Sequence, residues 1–311
     1  MREEKVRPAQ TRERHYDDRM PRWLHRPILA GGSLCEVNGI LRELGLHTVC
    51  EGAKCPNRMH CYSCGTAAFM ILGDVCTRDC AFCGVPKGAP RPVEGGEPER
   101  VAQAAARMGL EHVVVTSVTR DDLPDGGASH FAATIRGLRG AVPGATVEVL
   151  TPDFRGDPGA LRTVLAEGPE VFNHNLETVE ELYGRVRPGA DYRRSLELLR
   201  AAKEILPGVR TKSGLMAGLG ESRGELRRAF GDLAEAGCDM LTVGQYLRPS
   251  REQLRVERFL SPEEFEELRR EAEDAGIPLV ASAPLVRSSF RAGELLHSEE
   301  RTDRRVDTKT G

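Results

Sequence analysis

The chain has 311 residues, 40% hydrophobic and 29% charged, enough apolar material for one sizeable α/β domain with extensions. A formal net charge of −3 supplies no basic field for nucleic acid or an anionic membrane, so neither is expected as a partner. No apolar run approaches the roughly 18 residues of a spanning helix, and the Arg-rich start carries too many acids (Glu3, Glu4, Glu13, Asp17, Asp18) for a transit peptide, which makes the cytoplasm the expected compartment.

Residues 1–30 are polar and proline-punctuated and read as an extended arm; 38–47 has the pattern of a short helix. From residue 67 the pattern alternates. Short β-branched apolar runs at 69–73, 112–118, 146–150, 170–175, 209–216, 240–244 and 278–282 read as strands. Helical periodicity falls between them at 98–110, 129–140, 194–206, 221–237 and 261–276. Ser261-Pro262 looks like an N-cap with proline at the first helical position, and Gly237 and Gly276 like C-terminal stops.

Strands alternating with helices predict parallel βα units, which a doubly wound sheet or a barrel would satisfy. Polar residues gather at the strands' C-terminal ends: Thr116 and Ser117, Asn173 to Glu177, Lys212 and Ser213, and Gln245. That rim carries the active site in (β/α) barrels, so a barrel or partial barrel is favoured. The expected organisation is an N-terminal extension over 1–66, the barrel over 67–282, and a C-terminal extension over 283–311 with a charged, disordered end.

Nine cysteines in a cytosolic enzyme point to metal binding or catalysis, and seven of them fall between Cys50 and Cys83. Cys76, Cys80 and Cys83 form a CxxxCxxC directly after the first strand. Three thiolates on one loop can hold three irons of a [4Fe–4S] cube, leaving the fourth iron open to a chelating ligand. Cys50, Cys55 and Cys61, a CxxxxCxxxxxC, supply three ligands for a second cluster ahead of the barrel. A zinc ribbon from Cys61, Cys64, Cys80 and Cys83 also has acceptable spacing, but leaves Cys50, Cys55 and Cys76 unexplained. A purely electron-carrying two-cluster protein is a further alternative, though it would need neither a barrel nor an open iron. Cys35 and Cys238 stand alone and are assigned no role.

The CxxxCxxC, with Phe82 before its last cysteine, resembles the signature of the radical S-adenosylmethionine superfamily. Paired with the preceding CxxxxCxxxxxC it resembles the lipoyl synthase family. The likeness runs in order through 65–85, 115–131, 152–156, 171–179, 186–196, 211–221, 241–250 and 285–290. It implies a partial (β/α)6-type TIM barrel with N- and C-terminal extensions. It implies S-adenosylmethionine and two [4Fe–4S] clusters as cofactors, one cleaving S-adenosylmethionine to a radical and one sacrificed as sulfur donor. The implied reaction inserts sulfur at C6 and C8 of a protein-bound octanoyl group. Unactivated C–H bonds offer no acid–base handle, which is why radical chemistry suits them.

The resemblance also implies site residues. Arg287-Ser288-Ser289-Phe290 matches the family's Arg-Ser-Ser-Tyr, with phenylalanine in the tyrosine's place, and makes Ser288 the auxiliary cluster's fourth ligand. Contacts to S-adenosylmethionine are expected from Thr116, Ser117, Gly126, Gly127, Asn173, Glu177 and Lys212; for Gly126-Gly127 an ordinary turn, and for His174 a satisfied core histidine, are the plain alternatives. The implied partners are octanoylated lipoyl carrier domains of 2-oxoacid dehydrogenase acyltransferase subunits or of the glycine-cleavage H protein. A ferredoxin or flavodoxin reductant and an iron–sulfur carrier protein are implied with them.

Overall fold

Eight strands follow one another across a single sheet in chain order: β1 (His47–Thr48), β2 (Ala68–Ile71), β3 (His112–Ser117), β4 (Thr146–Leu150), β5 (Val171–Asn173), β6 (Arg210–Ala217), β7 (Met240–Gln245) and β8 (Leu279–Ser282). The computed structural model describes residues 20–25, 32–63 and 67–296. Most of the arm expected over 1–30, the charged end after 297, and Cys64 lie outside the described residues. Strands β2 to β8 are parallel, each to the next, while β1 runs antiparallel to β2. The order never reverses, so the sheet lacks the switch point of a doubly wound fold. β1 and β8 are not paired, which leaves a partial barrel open on one side. β8 brings the parallel strands to seven, one more than a six-unit barrel.

The helices are α1 (Gly32–Glu43), α2 (Val49–Gly52), α3 (Arg58–Ser63), α4 (Glu97–Arg107), α5 (Ala128–Ala141), α6 (Pro158–Leu165), α7 (Tyr183–Val186), α8 (Tyr192–Ile205), α9 (Arg223–Glu235), α10 (Pro262–Asp274) and α11 (Ala292–Leu296). Both α9 and α10 start with a full capping box, Ser222 with Glu225 and Ser261 with Glu264, which closes the orphaned first-turn amides reciprocally. Sequence periodicity does not reveal α6. It is short and starts at Asp157, whose carboxylate accepts from the Gly159 amide, with Pro158 at the first helical position.

The barrel interior is charged at one level. Lys212 and Glu148 are fully buried, with Lys212 Nζ 2.9 and 3.0 Å from the two Glu148 oxygens. Asn173 Nδ2 donates to Glu148 Oε1 at 2.9 Å, and His112 Nε2 lies 3.5 Å from Oε2. Burial alone would raise the pKa of Glu148, but Lys212 and His112 outweigh it and hold the carboxyl at about 2.

Candidate active site

A cavity of about 880 Å³ is lined by Cys50, Cys55 and Cys61 together with Cys76, Cys80 and Cys83. The two triads lie at opposite ends of β2. The Ala68 amide, at the start of β2, lies against the Cys50 thiol, whereas Cys76 comes after the end of that strand. Four residues of strand separate the ends by about 13 Å, so the cavity runs along the inside of β2 from one triad to the other.

The loop of Cys76, Cys80 and Cys83 is tied to the ends of neighbouring strands. Thr77 N and Oγ1 both donate to Thr119 O, at 3.0 and 2.9 Å. Arg78, buried between two of the cysteines, clamps Asp121 through Nε at 2.7 Å and Nη2 at 2.9 Å. Its Nη2 also reaches Asp153 Oδ1 at 2.6 Å, while Arg194 Nε holds the other Asp153 oxygen at 2.8 Å. Burial works against the charge on Asp153, yet the Arg78 guanidinium holds its carboxyl well below the usual carboxylate range. The amides of Thr119 and Arg78 point at Cys76 Sγ, at 3.3 and 3.5 Å, donors that suit a cluster-bound thiolate.

The other triad is assembled from separate short pieces. Cys50 sits on α2, Cys61 on α3, and Cys55 between them. Thr48 caps α2 and its hydroxyl pairs with buried Tyr62 at 2.7 Å. Asn57 Nδ2 donates to Leu285 O at 2.7 Å, drawing in the segment that carries Ser288, which also lines the cavity. Ser288 Oγ donates to Asn175 Oδ1 at 2.9 Å and lies 3.5 Å from Thr242 Oγ1. Phe290 packs its ring 6.0 Å from that of His60, so the family's tyrosine position is an aromatic contact here. Burial pushes the thiols of Cys50 and Cys83 up to about 12. Without a cation they stay neutral; bound iron is what would draw them into thiolates.

Of the other residues expected at the site, Thr116, Ser117 and Glu177 line the cavity. Thr116 donates to Leu150 O at 2.9 Å, while the buried hydroxyls of Ser117 and Thr151 have no partner among the described residues. Glu177 is pushed above the usual carboxylate range by burial, although Arg187 works against the shift. Gly126, Gly127, Asn173 and Lys212 lie outside the lining. Gly127 adopts φ 92°, and a Cβ there would stand 2.3 Å from Leu72 Cδ1; Gly126 has φ 61° and abuts Phe154. Asn173 and Lys212 direct their polar atoms to Glu148 instead. His174 is buried between Thr151 O and Ser195 Oγ, and burial beside Arg187 lowers it to about 4, a neutral ring. Arg78, Asn57, Thr151, Arg187 and Thr242 are site residues with no sequence signal beyond their neighbours' motifs. Cys35 is exposed, and Cys238 is buried with Sγ on Met240 O.

The donor sets fit the cofactors that the motifs imply. A cube binds each thiolate at its own iron, so its ligands need not converge on one point; among the described residues no three Cys, His, Asp or Glu side chains do. The orphaned hydroxyls of Ser117 and Thr151, and the unpaired buried Asn57 Oδ1, are groups that a polar organic ligand or cluster would satisfy.

Residues 70–233 match the Radical SAM superfamily. Over 274 residues the chain is 56% identical to the lipoyl synthase of Nitratidesulfovibrio vulgaris (strain DP4), covering 88% of this chain and 91% of that protein. It is 55% identical over 277 residues to the lipoyl synthase of Methylococcus capsulatus (strain ATCC 33009 / NCIMB 11132 / Bath), covering 89% and 86%. The chain belongs to the lipoyl synthase family. As a radical S-adenosylmethionine sulfurtransferase it acts on a protein-bound octanoyl group and uses S-adenosylmethionine and [4Fe–4S] clusters. Lipoyl synthase membership sets aside the zinc-ribbon and electron-carrier alternatives. Among solved structures, methylornithine synthase (PylB) aligns with a TM-score of 0.53 at 17% identity, over 82% of this chain and 84% of that one. The hydrogenase maturase HydG aligns at 0.53 and 16%, over 67% and 49%. At those identities the likeness is one of fold.

Proposed function

We propose that Cys76, Cys80 and Cys83 hold the cluster that cleaves S-adenosylmethionine, and that Cys50, Cys55, Cys61 and Ser288 hold an auxiliary, sulfur-donating cluster. The observation that carries this reading is that both triads and Ser288 line one cavity. When bound, these groups supply the electron, the hydrogen-abstracting radical and the sulfur for C6 and C8 of the octanoyl chain.

The chain's own residues prepare that chemistry. Arg78, Asp121 and Asp153 fix the loop of the first triad, and the amides of Thr119 and Arg78 stabilise negative charge on Cys76. Thr116, Ser117, Thr151 and Glu177 offer the polar contacts that orient S-adenosylmethionine. Gly126 and Gly127 keep the turn into α5 close-packed against Phe154 and Leu72. Asn173 and Lys212 act one step removed, holding Glu148 charged beneath the cavity. Val114, Leu150, Leu215 and Met216 line an apolar stretch that excludes water and accepts an alkyl chain.

The same reading makes residues 1–66 and 283–311 extensions that build the auxiliary site on a barrel of 67–282. It takes octanoylated carrier domains of 2-oxoacid dehydrogenases or the glycine-cleavage H protein as substrates, a ferredoxin or flavodoxin as reductant, and an iron–sulfur carrier for repair, all in the cytoplasm. The test is mass spectrometry of an octanoyl-lysine carrier peptide incubated anaerobically with reconstituted protein, S-adenosylmethionine and dithionite. Gain of two sulfur atoms is expected. A peptide returned unchanged while S-adenosylmethionine is cleaved would contradict the auxiliary assignment.

A further inference from the structure

One side chain joins the polar rim of the barrel to the C-terminal segment. Asn175 is buried at 8% exposure just beyond β5. Its Oδ1 accepts from Ser288 Oγ at 2.9 Å, and its Nδ2 donates to Glu177 Oε1 at 3.0 Å. Thr242 Oγ1, 3.5 Å from Ser288 Oγ, is itself anchored on Ser213 O at 3.3 Å. These three oxygens converge above Gly214. A Cβ there would stand 2.7 Å from Asn175 Oδ1, 2.7 Å from Ser288 Oγ and 2.9 Å from Thr242 Oγ1. The cradle therefore needs the hydrogen of glycine.

The backbone under the cradle is strained and doubly pinned. Glu177 has φ 66°, left-handed for a residue with a side chain. Its amide donates to Gly214 O at 2.9 Å, and its carbonyl accepts from Met216 N at 2.9 Å. Such strain persists only where surrounding contacts over-determine it. Here it aims the carboxyl of Glu177 at Asn175.

We propose that Asn175 is a positioning residue that seats Ser288 and couples it to Glu177. One amide thereby sets both the auxiliary site's serine and the S-adenosylmethionine pocket. The inference rests on the proposed assignment of Ser288 and Glu177. An amide suits the task because its two ends differ: oxygen accepts from Ser288 and nitrogen donates to Glu177. Neither end can be lost without freeing the other to rotate. By linkage, whatever displaces Ser288 must alter the binding that Glu177 supports, and the reverse.

The test is a double-mutant cycle on S-adenosylmethionine affinity, measured by equilibrium dialysis on anaerobically reconstituted protein. Ser288→Ala should weaken binding by about threefold to tenfold, the worth of one net hydrogen bond. In an Asn175→Ala background the same change should do nothing. The spectrum of the reduced auxiliary cluster gives a second readout. Thr242→Val should perturb it, and should not do so once Ser288 is already alanine. If Asn175→Ala does not fold, Asn175→Asp serves in the cycle, since it keeps the acceptor for Ser288 and loses the donor to Glu177. Additive effects of Ser288 and Asn175 on affinity would overturn the coupling. No binding of S-adenosylmethionine by the wild type would instead overturn the functional reading beneath it.

Discussion

The thiols at the two ends of β2 are held in different ways. Cys76, Cys80 and Cys83 sit on one loop whose buried Arg78 is bonded to carboxylates after β3 and β4, so the site is part of the barrel. The thiols at the other end come from α2, the turn after it and α3, outside the parallel strands. Asn57 ties them to the C-terminal segment through Leu285 O, while Ser288 of that segment rests on Asn175 of the barrel. A site locked into the barrel suits a cluster that must survive every turnover. One built from short pieces outside the parallel strands would suit, under the proposed assignment, a cluster that is consumed and rebuilt.

Breaking the clamp should have the largest effect. Arg78→Ala removes the shared partner of Asp121 and buried Asp153 and leaves Asp153 with Arg194 alone, and breaking a buried pair costs about 3–5 kcal/mol. The melting temperature should fall and the first cluster should be lost, with the auxiliary cluster retained. Equal loss at both ends would erase the distinction. The same clamp has a pH signature. Because the folded-state pKa of Asp153 is depressed, its stabilisation is present above its unfolded value of about 4 and is lost as pH falls through its lower folded value. Acid titration should show a steeper loss of stability in the wild type than in Asp153→Asn, where depressed carboxylates such as Glu148 still contribute.

Next in size is the ion pair below the cavity. Lys212→Met should destabilise by about 3 kcal/mol, by leaving buried Glu148 with only Asn173 and His112 beside it, and adding Glu148→Leu should restore most of it. If S-adenosylmethionine affinity collapses even in the restored double variant, Lys212 touches the cofactor directly. A smaller change tests the looser end. Asn57→Ala removes one buried hydrogen bond, worth about 1–2 kcal/mol, and should speed loss of auxiliary iron on dilution while the first cluster persists. Smallest is Phe290→Tyr, which should stay within about 0.5 kcal/mol in thermal unfolding, because the ring already packs on His60.

The seven parallel strands and the caps of α9 and α10 are legible because periodicity and capping act between near neighbours. α6 carries an equally readable start, Asp157-Pro158, and was hidden only by its brevity. The two residues of β1 have no periodicity to read. Spacing identifies all six cysteines of the two triads. Their supports are different, since Arg78 meets Asp121 and Asp153 across 43 and 75 residues, and Ser288 meets Asn175 across 113. Contacts of that separation leave no pattern along the chain; a resemblance finds Ser288 but not what it rests on.

The most direct test of two separate clusters is iron and acid-labile sulfide per chain after anaerobic reconstitution, with wild type set against a Cys50/Cys55/Cys61→Ala variant. Two separate cubes predict about eight irons in wild type and about four in the variant, with S-adenosylmethionine cleavage retained and no sulfur inserted. Equal iron in both proteins, or zinc in place of iron, would contradict the account.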